Sequence, residues 1–217
     1  MIIPQTASSV PRISDTIARG GVIAFRTDTF YGLGADPFNR EAVLKLKELK
    51  GREDHKPILV VVSDRDQLER FIVERSRTFD LMAERFWPGP LTLIGKSAPG
   101  VAAEISAGTE TVGVRMPNDD EVRGLLRQCG GALTATSANP SDQAPAKTAE
   151  EAQDYFGDRI DLIIDGGATR TDLPSTVVDV TENEPSLIRE GVITWAEIQT
   201  VLALPQKREQ RVQNRSR

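Results

Sequence analysis

The chain has 217 residues and 39% hydrophobic content, enough to bury one sizeable core. Its formal charge of −5 is uneven, because Lys207, Arg208, Arg211, Arg215 and Arg217 outnumber Glu209 in the last twelve residues and leave a body near −9. That body excludes a generic nucleic-acid face, so any RNA contact is local, in a basic pocket or in the tail. No stretch has the length and apolarity of a membrane span, and the N-terminus lacks a basic segment followed by a long apolar run, so a cytoplasmic protein is expected.

In chain order, Gly20-Gly21 punctuates before a short apolar strand over 22–25, and a glycine-rich turn over 31–34 follows. Asn39 is placed to cap a helix whose inner face is Ala42, Val43, Leu46 and Leu49, and Gly51 to stop it. Residues 58–62 read as a buried strand. Residues 68–71 and 79–86 read as helical, ending where Pro88 and Pro90 forbid continuation. Strands are expected over 91–94 and 112–116, a helix over 121–129 and a strand over 132–136. A helix over 149–156, strands over 162–164, 177–180 and 187–189, and a helix over 195–202 complete the chain. This interleaving predicts an α/β class with a twisted, mainly mixed open sheet and flanking helices. One domain is expected over 1–205, with a basic, disordered tail over 206–217.

Polar clusters gather where these elements end: Thr27-Asp28-Thr29, Lys50 and Arg52, Arg115, and Ser137 with Asn139. Open α/β sheets bind ligands beyond strand carboxyl ends, so the clusters predict one concave site. Lys50 and Arg52 straddle a glycine and offer a point charge and a planar fork to an anion. Ser137 and Asn139 offer a hydroxyl and an amide without charge. Arg115, ending an apolar strand, needs a counter-charge, either a ligand carboxylate or an Asp of the fold. His55 is the one histidine and Cys129 the one cysteine. They supply too few ligands for a zinc site, no disulfide forms within the chain, and Cys129 reads as a buried, inert thiol. None of the common glycine-rich phosphate loops is present, nor a nucleophile elbow.

These clusters stand within longer runs: Arg26 to Ala35, Leu49 to Arg52, Lys56-Pro57-Ile58, Trp87 to Thr92, Val112 to Pro117, Thr136 to Asn139, Pro174 to Asp179 and Ile188 to Gly191. Together, in this order, they resemble the YrdC/Sua5 family, the L-threonylcarbamoyladenylate synthases. The likeness covers the family's catalytic domain and fits its short form, without the further C-terminal domain of Sua5. It implies a nucleotidyltransferase that joins L-threonine, bicarbonate (or CO2) and ATP into threonylcarbamoyl-AMP and pyrophosphate. A downstream transferase system would then modify adenosine 37 of tRNA, which leaves direct tRNA contact open. By this resemblance the catalytic group is Lys50, Arg52, Ser137 and Asn139. ATP meets Lys50, Arg52, Lys56, Asn139 and Arg189. Threonine meets Thr29, Arg115, Ser137 and Ser175. Mg²⁺ enters with ATP, held mainly by the triphosphate, with no protein side chain assigned to it. The chain departs from the family's pattern at Arg26, where proline is frequent, at Asp28, where glutamate is frequent, and at Val61, where some relatives present a histidine. A YciO-like or carbamoyl-transfer paralogue of the same fold, or a non-catalytic RNA-binding module, are the alternatives.

Overall fold

The structure, a computed structural model, describes residues 1–51, 57–182 and 184–203. Arg52, Lys56 and the basic tail therefore lie outside the described residues. The strands are β1 (Ile2–Pro4), β2 (Ile23–Arg26), β3 (Tyr31–Gly34), β4 (Leu59–Val62), β5 (Leu91–Lys96), β6 (Thr111–Arg115), β7 (Ala132–Ser137), β8 (Leu162–Asp165), β9 (Thr176–Asp179) and β10 (Ser186–Arg189). The helices are α1 (Val10–Ala18), α2 (Arg40–Lys50), α3 (Arg77–Phe86), α4 (Ala103–Ser106), α5 (Asp120–Gln128), α6 (Ala149–Phe156) and α7 (Trp195–Ala203). All these strands join one mixed sheet in the order β1-β8-β2-β3-β7-β4-β6-β5-β9-β10. The pairs β2–β3 and β9–β10 are antiparallel, β2–β8 and β5–β9 parallel. No helix among the described residues is long and apolar enough to cross a membrane.

Two elements differ from expectation. The segment 31–34, expected as a turn, is strand β3, buried throughout and paired with β2 and β7. Its glycines serve packing rather than reversal: a Cβ on Gly34 would lie 2.6 Å from Cε1 of Phe25, whose ring crosses the strand. The helical stretch expected over 68–71 is a 3₁₀ turn over Arg65–Arg70. Strand β1 and helix α1 are not among the expected elements: the three-residue β1 is held by pairing with β8, whereas α1 is amphipathic, with Pro11 in its first turn and Ile13 and Ile17 buried on one face.

Successive side chains of a strand point to opposite faces, and the two faces are covered unequally. Ala24, Val60, Val62, Leu93 and Val114 pack under α2, α3, α6 and α7 in the larger core. Ile23, Phe25, Val61 and Leu133 pack under α1 and α5 in the smaller one. These two helices cover only part of their face, and the floor left open is the cavity described below.

Helix α2 is bounded as its sequence dictates. Asn39 Oδ1 accepts the N–H of Ala42 at 3.1 Å, and Gly51 closes the helix in the left-handed region at φ 57°. Cys129 is buried at the end of α5, and burial pushes its thiol up to about 12, so it stays protonated and inert in the folded state.

Replacing Asn39 by Ala should remove about 1 kcal/mol of stability and lower Tm by about 2–4 °C, read by calorimetry. Labelling of Cys129 by an aromatic disulfide reagent at pH 8 should be at least about a hundredfold slower in the native protein than in urea, the thiolate being suppressed and enclosed. Comparable rates would contradict the buried placement.

Candidate functional site

A cavity of about 430 Å³ lies on the open part of the sheet face that α1 and α5 cover only in part. Leu59, Ile94, Ala135 and Val177 form its floor, all pointing to that face by strand alternation. Gly113 contributes by lacking a side chain, since a Cβ there would lie 2.6 Å from Leu59 Cδ2. The site is thus on a sheet face and not beyond a common carboxyl edge as the sequence predicts. The physical reason is the mixed sheet: β3 and β7 are antiparallel, so strand ends of both kinds meet the same hollow.

Lys50, on the last turn of α2, is 7% exposed and reaches past the end of β7. Its Nζ donates to the carbonyls of Ser137 (2.7 Å) and Asn139 (2.5 Å) and to Asn139 Oδ1 (3.1 Å), with Ser137 Oγ at 3.5 Å. Lys50 and the segment Ser137-Ala138-Asn139 therefore meet in space, as the sequence predicts, while Arg52 lies outside the described residues. The carbonyl dipoles, together with the negative end of α2, offset the cost of burying an ammonium. Lys50 and Ser137 both line the cavity. Asn139 does not: its amide donates to the carbonyls of Pro140 (2.9 Å) and Gln143 (2.6 Å), which fastens the loop carrying Ser141 and Asp142 to the rim.

Arg115 ends β6 at 4% exposure. Its Nη1 stands 3.0 Å from Asp28 Oδ1 as an ion pair of imperfect hydrogen-bond alignment, and donates to Thr29 Oγ1 at 3.1 Å. Its Nη2 reaches Thr27 Oγ1 at 3.4 Å, and its Nε has no partner among the described residues. Asp28 is fixed from its other oxygen, which accepts the N–H of Asn118 at 3.1 Å. Of the two counter-charges open to Arg115 from sequence, the fold supplies Asp28, while the guanidinium still lines the cavity.

Arg189 arrives from the edge strand β10 through a bulge between Leu187 and Arg189, which lets both Ile188 and Arg189 line the cavity. Its Nε and Nη2 donate to the carbonyl of Ser175 (3.2 and 2.9 Å), and Nη2 also to Ser175 Oγ (3.1 Å). Burial first, and then the nearby charge of Arg115, lowers the Arg189 pKa. Two guanidiniums thus repel each other across the hollow, a tension that an anion relieves. Asp142 is the one acidic residue among the described residues that line the wall.

Tyr31 is a site element that sequence reasoning missed. Its hydroxyl donates to the Gly167 carbonyl (2.9 Å) and accepts the Gly166 N–H (3.2 Å), tying β3 to the segment that leads to Pro174 and Ser175. Burial pushes its pKa up to about 12. The positions that depart from the family's pattern are accounted for structurally. Arg26 pairs with Asp119 and Glu121, each at 2.9 Å, joining β2 to the start of α5. Val61 is fully buried in the smaller core and is not on the cavity wall.

Residues 15–191 match a family model named Sua5_yciO_yrdC and described as "Telomere recombination". The chain is 38% identical over 187 residues, 86% of its length, to the threonylcarbamoyl-AMP synthase of Pyrococcus abyssi, and 37% identical over 206 residues, 93% of its length, to that of Bacillus subtilis. It spans 55% and 59% of those two relatives. The crystal structure of P. abyssi Sua5 complexed with L-threonine superposes with a TM-score of 0.90 at 35% identity, over 94% of this chain and 61% of that one. With the match running through both halves of the cavity wall, the chain belongs to the Sua5/YciO/YrdC family.

Proposed function

We propose that this chain is a threonylcarbamoyl-AMP synthase. The observation that carries the reading is the convergence of Lys50, Arg115 and Arg189 with the hydroxyls of Ser137 and Ser175 on one hollow, built by a fold whose relatives bear that name. In the proposed reaction the amine of L-threonine attacks CO2, delivered as CO2 or bicarbonate, and loses a proton to give a carbamate. A carbamate oxygen then attacks the α-phosphorus of ATP, and the bond to pyrophosphate breaks.

This chemistry needs no enzyme nucleophile. It needs three reactants held together, and developing negative charge met by fixed donors, in a hollow that shields an unstable carbamate from water. Lys50 is proposed to face the phosphates, and by the family resemblance Arg52 and Lys56 act on the same phosphates. Arg115 takes the threonine carboxylate, with Thr29, Ser137 and Ser175 around it. Arg189 faces the nucleotide, and Asn139 acts there by holding the loop of Ser141 and Asp142 in place. Mg²⁺ comes with ATP, its ligands mainly phosphate and water. The product would pass to a cytoplasmic transferase system acting on adenosine 37 of tRNA.

Pyrophosphate release dependent on both threonine and bicarbonate tests the reading directly. Lys50→Ala and Arg52→Ala should each lower it at least tenfold, about 1.4 kcal/mol in the barrier. Unchanged turnover in both would sink the assignment. Arg115→Ala leaves Asp28 without its ion-pair partner and should cost about 3 kcal/mol or more of stability, so Arg115→Lys is the cleaner probe. That variant should raise the KM for threonine at least tenfold and leave the KM for ATP within about threefold, because a planar fork is lost while the charge is kept. A normal threonine KM would remove Arg115 from that role.

A further inference from the structure

Thr92 lies in β5 at 0% exposure, on the same sheet face as Ile94 and paired in register with Val177, and is absent from the cavity lining. Its hydroxyl stands 3.1 Å from Ser175 Oγ, its one hydrogen-bond partner among the described residues. Ser175 is 4% exposed and does line the cavity. Its Oγ also accepts Nη2 of Arg189 at 3.1 Å.

Donor and acceptor accounting fixes the direction of these bonds. A hydroxyl has one hydrogen to give and two lone pairs to fill. The guanidinium of Arg189 can only donate, so it occupies one lone pair of Ser175. Among the described residues the buried Thr92 hydrogen has Ser175 Oγ as its single acceptor, and leaving that bond unmade would cost the desolvation of a buried donor. Thr92 therefore donates and fills the second lone pair. Both acceptor positions of Ser175 are then taken, and its own hydrogen has nowhere to go except into the cavity. The rotamer of Thr92 supports the same direction. A Cβ placed on Gly113 would lie 3.1 Å from Thr92 Cγ2, so the methyl covers that glycine and the hydroxyl is left to face Ser175.

We propose that Thr92 is a positioning residue that commits Ser175 to donating, making the Ser175 hydroxyl a one-way hydrogen-bond donor for an anionic oxygen of the bound substrate. Such an oxygen belongs to a carboxylate or to a phosphate. A ligand group that can only donate is rejected at this point, because Ser175 has no lone pair free for it. This rests on the proposed function and adds to it a residue that does not touch the substrate.

A double-mutant cycle on the full-length protein tests it, with calorimetric binding of L-threonine in one arm and of ATP in the other. Thr92→Val keeps the branched shape and removes the donor. It should weaken binding in the arm whose oxygen Ser175 meets by about fivefold, raise KM for that substrate alike, and keep kcat within about twofold. In a Ser175→Ala background the same substitution should have no further effect in that arm. Thr92→Ser should restore wild-type affinity. The arm that shows coupling identifies carboxylate or phosphate as the acceptor. Additive effects in both arms, or a Thr92→Ser variant as weak as Thr92→Val, would overturn the proposal while leaving the function standing. A wild-type protein that binds neither threonine nor ATP would overturn the function and the proposal together.

Discussion

The Lys50 ammonium is held where the end of α2 meets the end of β7, and much of the site depends on that contact. Two backbone carbonyls and one side-chain amide oxygen surround it, so the charge is both neutralised by dipoles and fixed in direction. The same bonds anchor the turn at Ser137 and Asn139, and Asn139 in turn anchors the rim loop. A buried ammonium tolerates no such arrangement unless each oxygen stays in place, which couples the geometry of the wall to the stability of α2.

The second constraint is incomplete coverage. Strand alternation gives the sheet two apolar faces, but α1 and α5 shield only part of one. What is left is a hollow with an aliphatic floor and polar groups entering from its edges, the composition expected of a small-molecule site. The edges deliver cations under opposite conditions. Arg115 is paired with Asp28 and locked among threonine hydroxyls, whereas Arg189 is held by neutral groups of Ser175 and feels the charge of Arg115. One cation thus has a counter-charge from the fold, and the other has none among the described residues.

Much of this was legible in the chain. Asn39 and Gly51 mark the ends of α2 by local chemistry alone, and the apolar runs give the interior strands to within one or two residues. Segment 31–34 was not legible, because glycine signals a turn and a tight packing contact equally, and only the ring of Phe25 distinguishes them. Thr27-Asp28-Thr29 and Arg115 were visible as polar clusters at strand ends. That Asp28 is the partner of Arg115 was not, since 87 positions separate them and nothing local records the approach. Thr92 and Tyr31 were invisible as site residues, because a threonine or tyrosine in an apolar strand is ordinary until its hydrogen-bond partner is known.

By itself the sequence determined the α/β class, the order of the main elements, the absence of a nucleophile elbow and the ordered motifs that mark the family, because each depends on residues close together in the chain or on their succession. The tertiary structure decided that Lys50 and Ser137 share one wall and that the hollow lies on a sheet face. It also decided that Asn139 serves the loop and that the Ser175 hydroxyl sits between Thr92 and Arg189. These depend on strand pairing across the mixed sheet and on the partial cover of α1 and α5. Both are set by contacts between residues far apart in the chain, which no local pattern encodes.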